Sequence, residues 1–184
     1  MEYPFTKIDV QILKLLEDTI RTIPDHPVKG IQFKDITPLL KNRDTLEITK
    51  RLLARPLRPL QADYIVGLES RGFLFGTSLA QDLHAGFIPV RKPNKLPAET
   101  ISVTYQLEYG SDSVEMHKDA IEIGSRVIIH DDLIATGGTA AAATTLVKKL
   151  GGVVVGYSFI LEIEALEGLN NLEKGVPVYS LLKV

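Results

Sequence analysis

Apolar positions recur at helical spacing at the start of the chain. Ile8, Ile12, Leu15, Leu16, Ile20 and Ile23 fall along one face with charged residues between them, which predicts an amphipathic helix ending before Pro24. Residues 24–34 contain Pro and Gly and predict a loop. A second helix is expected to open at Asp44, with Glu47 three residues on at capping-box spacing, and to end or bend at Pro56 and Pro59. The period then changes. Residues 63–68 read as a strand, 72–83 as a helix and 86–90 as a strand. Further on, 126–130 form a β-branched run, 139–150 a helix, 153–163 a strand and 178–182 a last edge strand. Strands alternating with helices predict an α/β fold with a mostly parallel central sheet flanked by helices. Ligands of such sheets bind at the carboxyl ends of the strands. Residues 92–118 break the pattern: no helical period is present, and 100–115 alternate as a polar hairpin around Gly110. A connection this long is functional or mobile.

Composition narrows the classes. A chain of 184 residues with 45% hydrophobic and 24% charged positions suits one soluble domain. A net charge of −2 disfavours a nucleic-acid partner. Cysteine is absent, which excludes disulfides, a thiolate nucleophile and cysteine-held metal, and fits a cytoplasmic protein. Residues 1–9 are mixed and charged, unlike a signal peptide. Apolar runs such as 153–155 are far too short for a bilayer, so no membrane partner is expected. His26, His84, His117 and His130 are scattered without ligand spacing. Neither internal repeats nor low-complexity tracts occur.

The sharpest chemistry lies in Val-Ile-Ile-His-Asp-Asp-Leu-Ile-Ala-Thr-Gly-Gly-Thr, residues 127–139. A buried strand delivers Asp131 and Asp132 to its end. Adjacent carboxylates accept well from paired hydroxyls, such as those of a ribose. Ala135, Thr136, Gly137, Gly138 and Thr139 then form a tight loop opening a helix, where backbone N–H groups and two hydroxyls can cradle a phosphate. Taken singly, each part has a plainer reading: a helix cap, a solvated turn, a metal site. In this order and spacing they describe a ribose 5-phosphate. The segment lacks the Gly-Lys-Ser/Thr of a Walker loop and the Gly-x-Gly-x-x-Gly of a dinucleotide fold.

This segment resembles the phosphoribosyl pyrophosphate (PRPP) motif of type I phosphoribosyltransferases. His130 stands where that family usually has a hydrophobic residue or an acid. Residues 67–76 (Gly-Leu-Glu-Ser-Arg-Gly-Phe-Leu-Phe-Gly), 90–97 (Val-Arg-Lys-Pro-Asn-Lys-Leu-Pro), 107–110 (Leu-Glu-Tyr-Gly) and 27–36 resemble the adenine phosphoribosyltransferase family. The similarity covers nearly the whole chain. Asn94 replaces a frequent Gly, and Lys34 a frequent Arg, losing the planar fork but not the charge.

The resemblance implies a type I phosphoribosyltransferase-like fold over residues 1–184, with an N-terminal helix and hood segment at 1–36, a core at 60–184 and a long flexible catalytic loop. It implies transfer of 5-phosphoribosyl from PRPP to adenine, giving AMP and pyrophosphate in purine salvage. Transfer to a 6-oxopurine, or a non-catalytic PRPP- or purine-sensing regulator, are the alternatives. Glu69, Ser70, Arg71, Arg91 and Lys95 would hold pyrophosphate, although the residues alone leave Arg71 open to a surface ion pair and 91–95 to a solvated charge cluster. Ile31, Gln32, Phe33, Lys34 and Leu161 would hold adenine, with Phe33 walling the ring; loop anchoring is the competing reading for Ile31 and Phe33. Glu108 and Tyr109 would serve catalysis, the carboxylate stabilising an oxocarbenium-like centre or exchanging a proton with the base. Magnesium is expected to arrive with PRPP, and a homodimer is implied.

Overall fold

The structure is a computed structural model that describes residues 7–106 and 110–184. It contains two compact units, Met1–Leu52 and Leu53–Val184.

In the first unit, α1 (Lys7–Thr19) forms from the predicted apolar face. It stops sooner than the periodicity suggests. Arg21–Pro24 is strand β1, paired antiparallel with β2 (Gln32–Asp35) in the register Arg21↔Asp35 to Pro24↔Gln32. Ile20 and Ile23 continue the helical spacing, but the β-branched Thr22 and Ile23 suit an extended chain once a ladder partner exists. The expected loop at 24–34 is therefore a turn plus the second strand. Gly30, at φ 95°, donates its N–H to Asp25 Oδ1 at 2.7 Å and closes that turn. A short helix, α2 (Thr37–Lys41), follows.

Helix α3 (Arg43–Leu57) begins before the expected cap. Asn42 is extended, and its Oδ1 accepts the N–H groups of Asp44 at 2.8 Å and Thr45 at 3.2 Å. Asn42 is thus the N-cap, while Asp44 sits in the first turn, where its charge favours the helix dipole. Glu47 pairs with Lys50 at 2.7 Å instead of closing a capping box. Pro56 lies inside the last turn, and the helix ends one residue later.

The second unit is built on a five-stranded sheet. β3 (Tyr64–Leu68), β4 (Gly86–Val90), β7 (Arg126–Ile134), β8 (Val153–Glu162) and β9 (Val178–Lys183) lie in the order β4-β3-β7-β8-β9. All neighbours are parallel. Helix α4 (Gly72–Leu83) joins β3 to β4, and α5 (Gly138–Lys149) joins β7 to β8. Right-handed crossovers leaving in opposite directions put the two helices on opposite faces. The sheet order therefore reverses between β3 and β7, and their carboxyl ends splay apart there.

Strand alternation divides the core. Val66, Leu68, Ile88, Val90, Val127 and Ile129 join Ala143, Leu146 and Val147 of α5 in one buried cluster. Each Val, Leu or Ile among them stabilises the fold by about 1.5–3 kcal/mol through its burial. The polar segment expected around Gly110 is a hairpin of β5 (Thr100–Gln106) and β6 (Ser111–His117). Its inward residues Val114 and Met116 are buried in the same cluster. Among the described residues, no helix is long and apolar enough to cross a membrane.

Candidate active site

β3 and β7 stop unequally, and the difference creates the site. β3 pairs with β7 only as far as Gly67↔His130, whereas β7 stays paired to β8 through Ile134↔Glu162. β7 thus runs past its neighbour, and it reaches Ile134 rather than ending at His130 as expected. Asp131 and Asp132 lie on this overhang. A cavity of about 200 Å³ opens beside them, lined by Leu68, Arg71, residues 131–140 and Phe159. It brings together Arg71, Asp131, Asp132 and all five residues of the expected phosphate loop.

The loop is ready for an anion. Gly137 is the N-cap of α5, at φ 79°, and no side chain caps this helix. The first N–H groups of an α-helix have no partner within it, so those of Gly138, Thr139 and Ala140 point outward with the positive end of the dipole behind them. The loop is braced by a segment far along the chain. A Cβ on Gly137 would lie 2.2 Å from Gly168 O, and one on Gly168 would lie 2.1 Å from Ala135 O. Asn171 Nδ2 donates to Thr136 O at 2.8 Å. Neither Gly168 nor Asn171 is legible in the sequence, because a contact to the backbone of a distant segment leaves no chemical motif.

The second turn, after β3, faces the same place. Residues 69–71 lead into α4, whose first residue Gly72 presses on β7; a Cβ there would meet His130 O at 2.8 Å and Asp131 Oδ1 at 3.0 Å. The Glu69–Ser70 peptide is cis. Arg71 Nε stands 3.1 Å from Asp132 Oδ2, an ion pair whose carboxylate side is 3% exposed. Burial pushes the Asp132 carboxyl above its usual range against the pull of Arg71. Burial and the charge of Asp132 push Asp131 well up. Asp131 Oδ1 accepts the N–H of Asp132 at 2.9 Å.

Arg91 closes β4 and forks onto Glu69, with Nε to Oε2 and Nη2 to Oε1 both at 3.2 Å. Lys92 N–H adds a bond to Glu69 Oε2 at 2.9 Å. Those bonds and the Arg91 guanidinium hold the Glu69 carboxyl below its usual range despite its burial. Arg91 also donates from Nη1 to Lys95 O at 3.1 Å. Arg91 thus fixes the turn carrying Ser70 and Arg71, and Lys95 is exposed.

The residues expected to hold adenine fall in both units. Ile31 precedes β2, and Gln32, Phe33 and Lys34 lie on it in the first unit. Phe33 meets the His26 ring edge-on at 5.1 Å, and Lys34 Nζ donates to Thr22 Oγ1 at 3.0 Å. Leu161 is 1% exposed in β8 of the second unit. Glu108 and Tyr109 lie outside the described residues. His130 is wholly buried. Its Nδ1 stands 3.0 Å from Ser158 O, a bond that makes Nδ1 the donor. Burial lowers its pKa to about 4, so the ring is neutral at physiological pH. Among the described residues, no group of three or more His, Asp or Glu side chains is placed to hold a metal ion.

The chain is similar to known proteins in sequence and in fold. Residues 36–167 match the phosphoribosyl transferase domain family. A curated adenine phosphoribosyltransferase of Trichodesmium erythraeum is 52% identical over 168 residues, covering 91% of this chain and 98% of its own. The crystal structure of adenine phosphoribosyltransferase from Rhodothermus marinus superposes with a TM-score of 0.91 at 50% identity, covering 95% of this chain and 99% of that one. The Saccharomyces cerevisiae enzyme, crystallised with adenine and an imino-altritol bisphosphate, gives a TM-score of 0.86 at 45% identity, with 94% and 99% covered. An overhanging Asp-Asp strand end, an uncapped glycine loop and near-complete similarity along the chain lead to one assignment: this chain belongs to the adenine phosphoribosyltransferase family, on the type I phosphoribosyltransferase fold.

Proposed function

We propose that this protein transfers the 5-phosphoribosyl group of PRPP to adenine, releasing AMP and pyrophosphate. The observation that carries the reading is one cavity holding both halves of a ribose 5-phosphate site: the carboxylates of Asp131 and Asp132, and the open N–H groups of residues 138–140. Curated and structural relatives named for adenine supply the choice of base.

The ribose hydroxyls of PRPP donate to Asp131 and Asp132, and its 5-phosphate sits in the loop 135–139. The pyrophosphate lies over the turn 69–71, where Arg71 can meet phosphate oxygens with two N–H groups and Arg91 keeps the turn in place. In the reaction the bond from the anomeric carbon to pyrophosphate breaks, the bond to the adenine ring nitrogen forms, and that nitrogen loses its proton. Positive charge develops on the ribose between these events. Glu108, assigned by the family's Leu-Glu-Tyr-Gly, stabilises that charge or takes the proton; Tyr109 belongs to the same catalytic segment. Ile31 to Lys34 and Leu161 hold the base. Magnesium would be held mainly by PRPP oxygens and water rather than by side chains of this chain, and would offset pyrophosphate charge. A homodimer in the cytoplasm completes the reading, supported by the family and by a cysteine-free chain.

Pyrophosphate release with PRPP, magnesium and a panel of bases tests it. Adenine is expected to be strongly preferred over hypoxanthine, guanine and xanthine. Equal or greater turnover of a 6-oxopurine would overturn the adenine assignment and favour the 6-oxopurine alternative.

A further inference from the structure

The β5–β6 hairpin touches the expected phosphate loop through one side chain. Tyr105, next to the last residue of β5, places its hydroxyl 3.0 Å from Thr139 Oγ1. Its ring lies against the loop backbone, since a Cβ on Gly138 would meet Tyr105 Cδ2 at 3.1 Å. The same hydroxyl donates to Asp112 Oδ2 at 3.2 Å, across the hairpin in the pair Tyr105↔Asp112. Asp112 is ion-paired to Lys92. Lys92 Nζ also approaches the Tyr105 hydroxyl at 3.4 Å and lies 5.9 Å from the centre of its ring.

The chemistry of this chain is constrained. The Lys92 ammonium holds the Asp112 carboxyl below its usual range, so Asp112 only accepts. Tyr105 has one proton and two acceptors, Asp112 and Thr139. A phosphate in the loop needs the Thr139 O–H as donor. Thr139 Oγ1 is then free to accept from Tyr105, while Lys92 keeps Asp112 paired when that proton turns away. Polarised hydrogen bonds in sequence strengthen one another.

We infer that Tyr105 is a positioning residue for PRPP: its hydroxyl orients the Thr139 hydroxyl toward the 5-phosphate, and Asp112 with Lys92 holds Tyr105 in place for this. The inference rests on reading 135–139 as the 5-phosphate loop. It ties the β5–β6 hairpin to occupancy of that loop. The sequence pattern alone assigns Tyr105 only an alternating place in a hairpin.

A double-mutant cycle tests it, with KM for PRPP, KM for adenine, kcat and unfolding midpoint measured for each variant. Tyr105→Phe keeps the ring on Gly138 and removes the hydroxyl. Loss of one hydrogen bond to a bound anion's donor is expected to raise KM for PRPP roughly three- to tenfold, with KM for adenine and the unfolding midpoint near wild type. Thr139→Ala is expected to raise KM for PRPP at least as much. The double variant should be no worse than Thr139→Ala alone, because Tyr105 acts through Thr139. Unchanged KM for PRPP in Thr139→Ala would overturn the phosphate-loop reading itself. A clear defect in Thr139→Ala, with Tyr105→Phe wild-type or the two effects multiplying, would overturn the role of Tyr105 and leave the loop standing. A lowered midpoint in Tyr105→Phe with wild-type KM would make the contact structural and overturn the inference.

Discussion

Arg71 Nε and Asp132 Oδ2, 3.1 Å apart, tie the turn after β3 to the overhang of β7. The two ends of this pair are unequal. Arg71 keeps 35% of its side chain exposed and Asp132 only 3%. Removing the arginine strands a buried carboxylate, whereas removing the carboxylate charge leaves an arginine that water can solvate. Arg71→Gln should therefore cost more stability than Asp132→Asn, by about 1–2 kcal/mol once solvent screening at the exposed end is counted. Urea unfolding of both variants checks this; the opposite order would mean that the pair does not hold the turn.

The loop proposed to hold the 5-phosphate depends on a glycine for two separate reasons. Gly137 has φ 79°, and a Cβ there would lie 2.2 Å from Gly168 O. Gly175 has φ 85° but no heavy atom within 4 Å of such a Cβ. Gly175→Ala should cost only backbone strain, about 1 kcal/mol. Gly137→Ala should cost more and should raise KM for PRPP at least tenfold, because the loop must move off the 168 backbone. Equal effects of the two substitutions, by thermal unfolding and PRPP kinetics, would remove the bracing role of Gly168.

Legibility in the sequence followed locality. α4 and β4 match the expected 72–83 and 86–90, because each is a short apolar run with its own stop. His84, at φ 54°, turns the chain between them. The Asp-Asp and glycine loop were readable because their chemistry is consecutive. What was missed needs a partner elsewhere. β1 exists because β2 pairs with it, β7 extends to Ile134 because β8 does, and Gly168, Asn171, Tyr105 and Asp112 reach the site from distant segments. Asn42 is hidden as a cap for a different reason: Asp44 and Glu47 stand at capping-box spacing two residues later. The assignments of Glu108 and Tyr109 rest on the motif alone.

His130 gives the protein an acid-sensitive core. Its pKa falls from 6.5 in an exposed imidazole to about 4 in the fold. Between those values the unfolded chain binds a proton that the folded one does not, so stability decreases as pH falls. The whole effect is about 3 kcal/mol. The buried carboxyls Asp131 and Asp132 act in the other sense, since their pKa values are raised. The difference between wild type and His130→Val isolates the histidine: the variant should lose less stability from pH 6.5 to pH 4. Parallel profiles would mean that His130 titrates normally.

The catalytic role proposed for Glu108 can be tested by separating chemistry from binding. A side chain that acts only in the transition state lowers kcat and kcat/KM together and leaves ground-state affinity intact. Charge-stabilising or proton-transferring groups contribute about 10²–10⁴-fold. Glu108→Gln should fold normally, bind PRPP with near-native affinity by calorimetry and turn over at least tenfold slower. Wild-type turnover would remove Glu108 from the mechanism, and a defect confined to binding would move it to the PRPP shell.

The proposed function turns on recognition of the PRPP ribose by the end of β7. Calorimetric titration of PRPP with magnesium into wild type and into Asp131→Ala/Asp132→Ala tests it most directly, with circular dichroism to establish that both are folded. Each lost charge-assisted hydrogen bond is worth about 1.5–3 kcal/mol. The double variant should therefore bind PRPP well over tenfold more weakly and form AMP correspondingly slowly at low PRPP. A folded double variant with unchanged PRPP affinity would contradict the account.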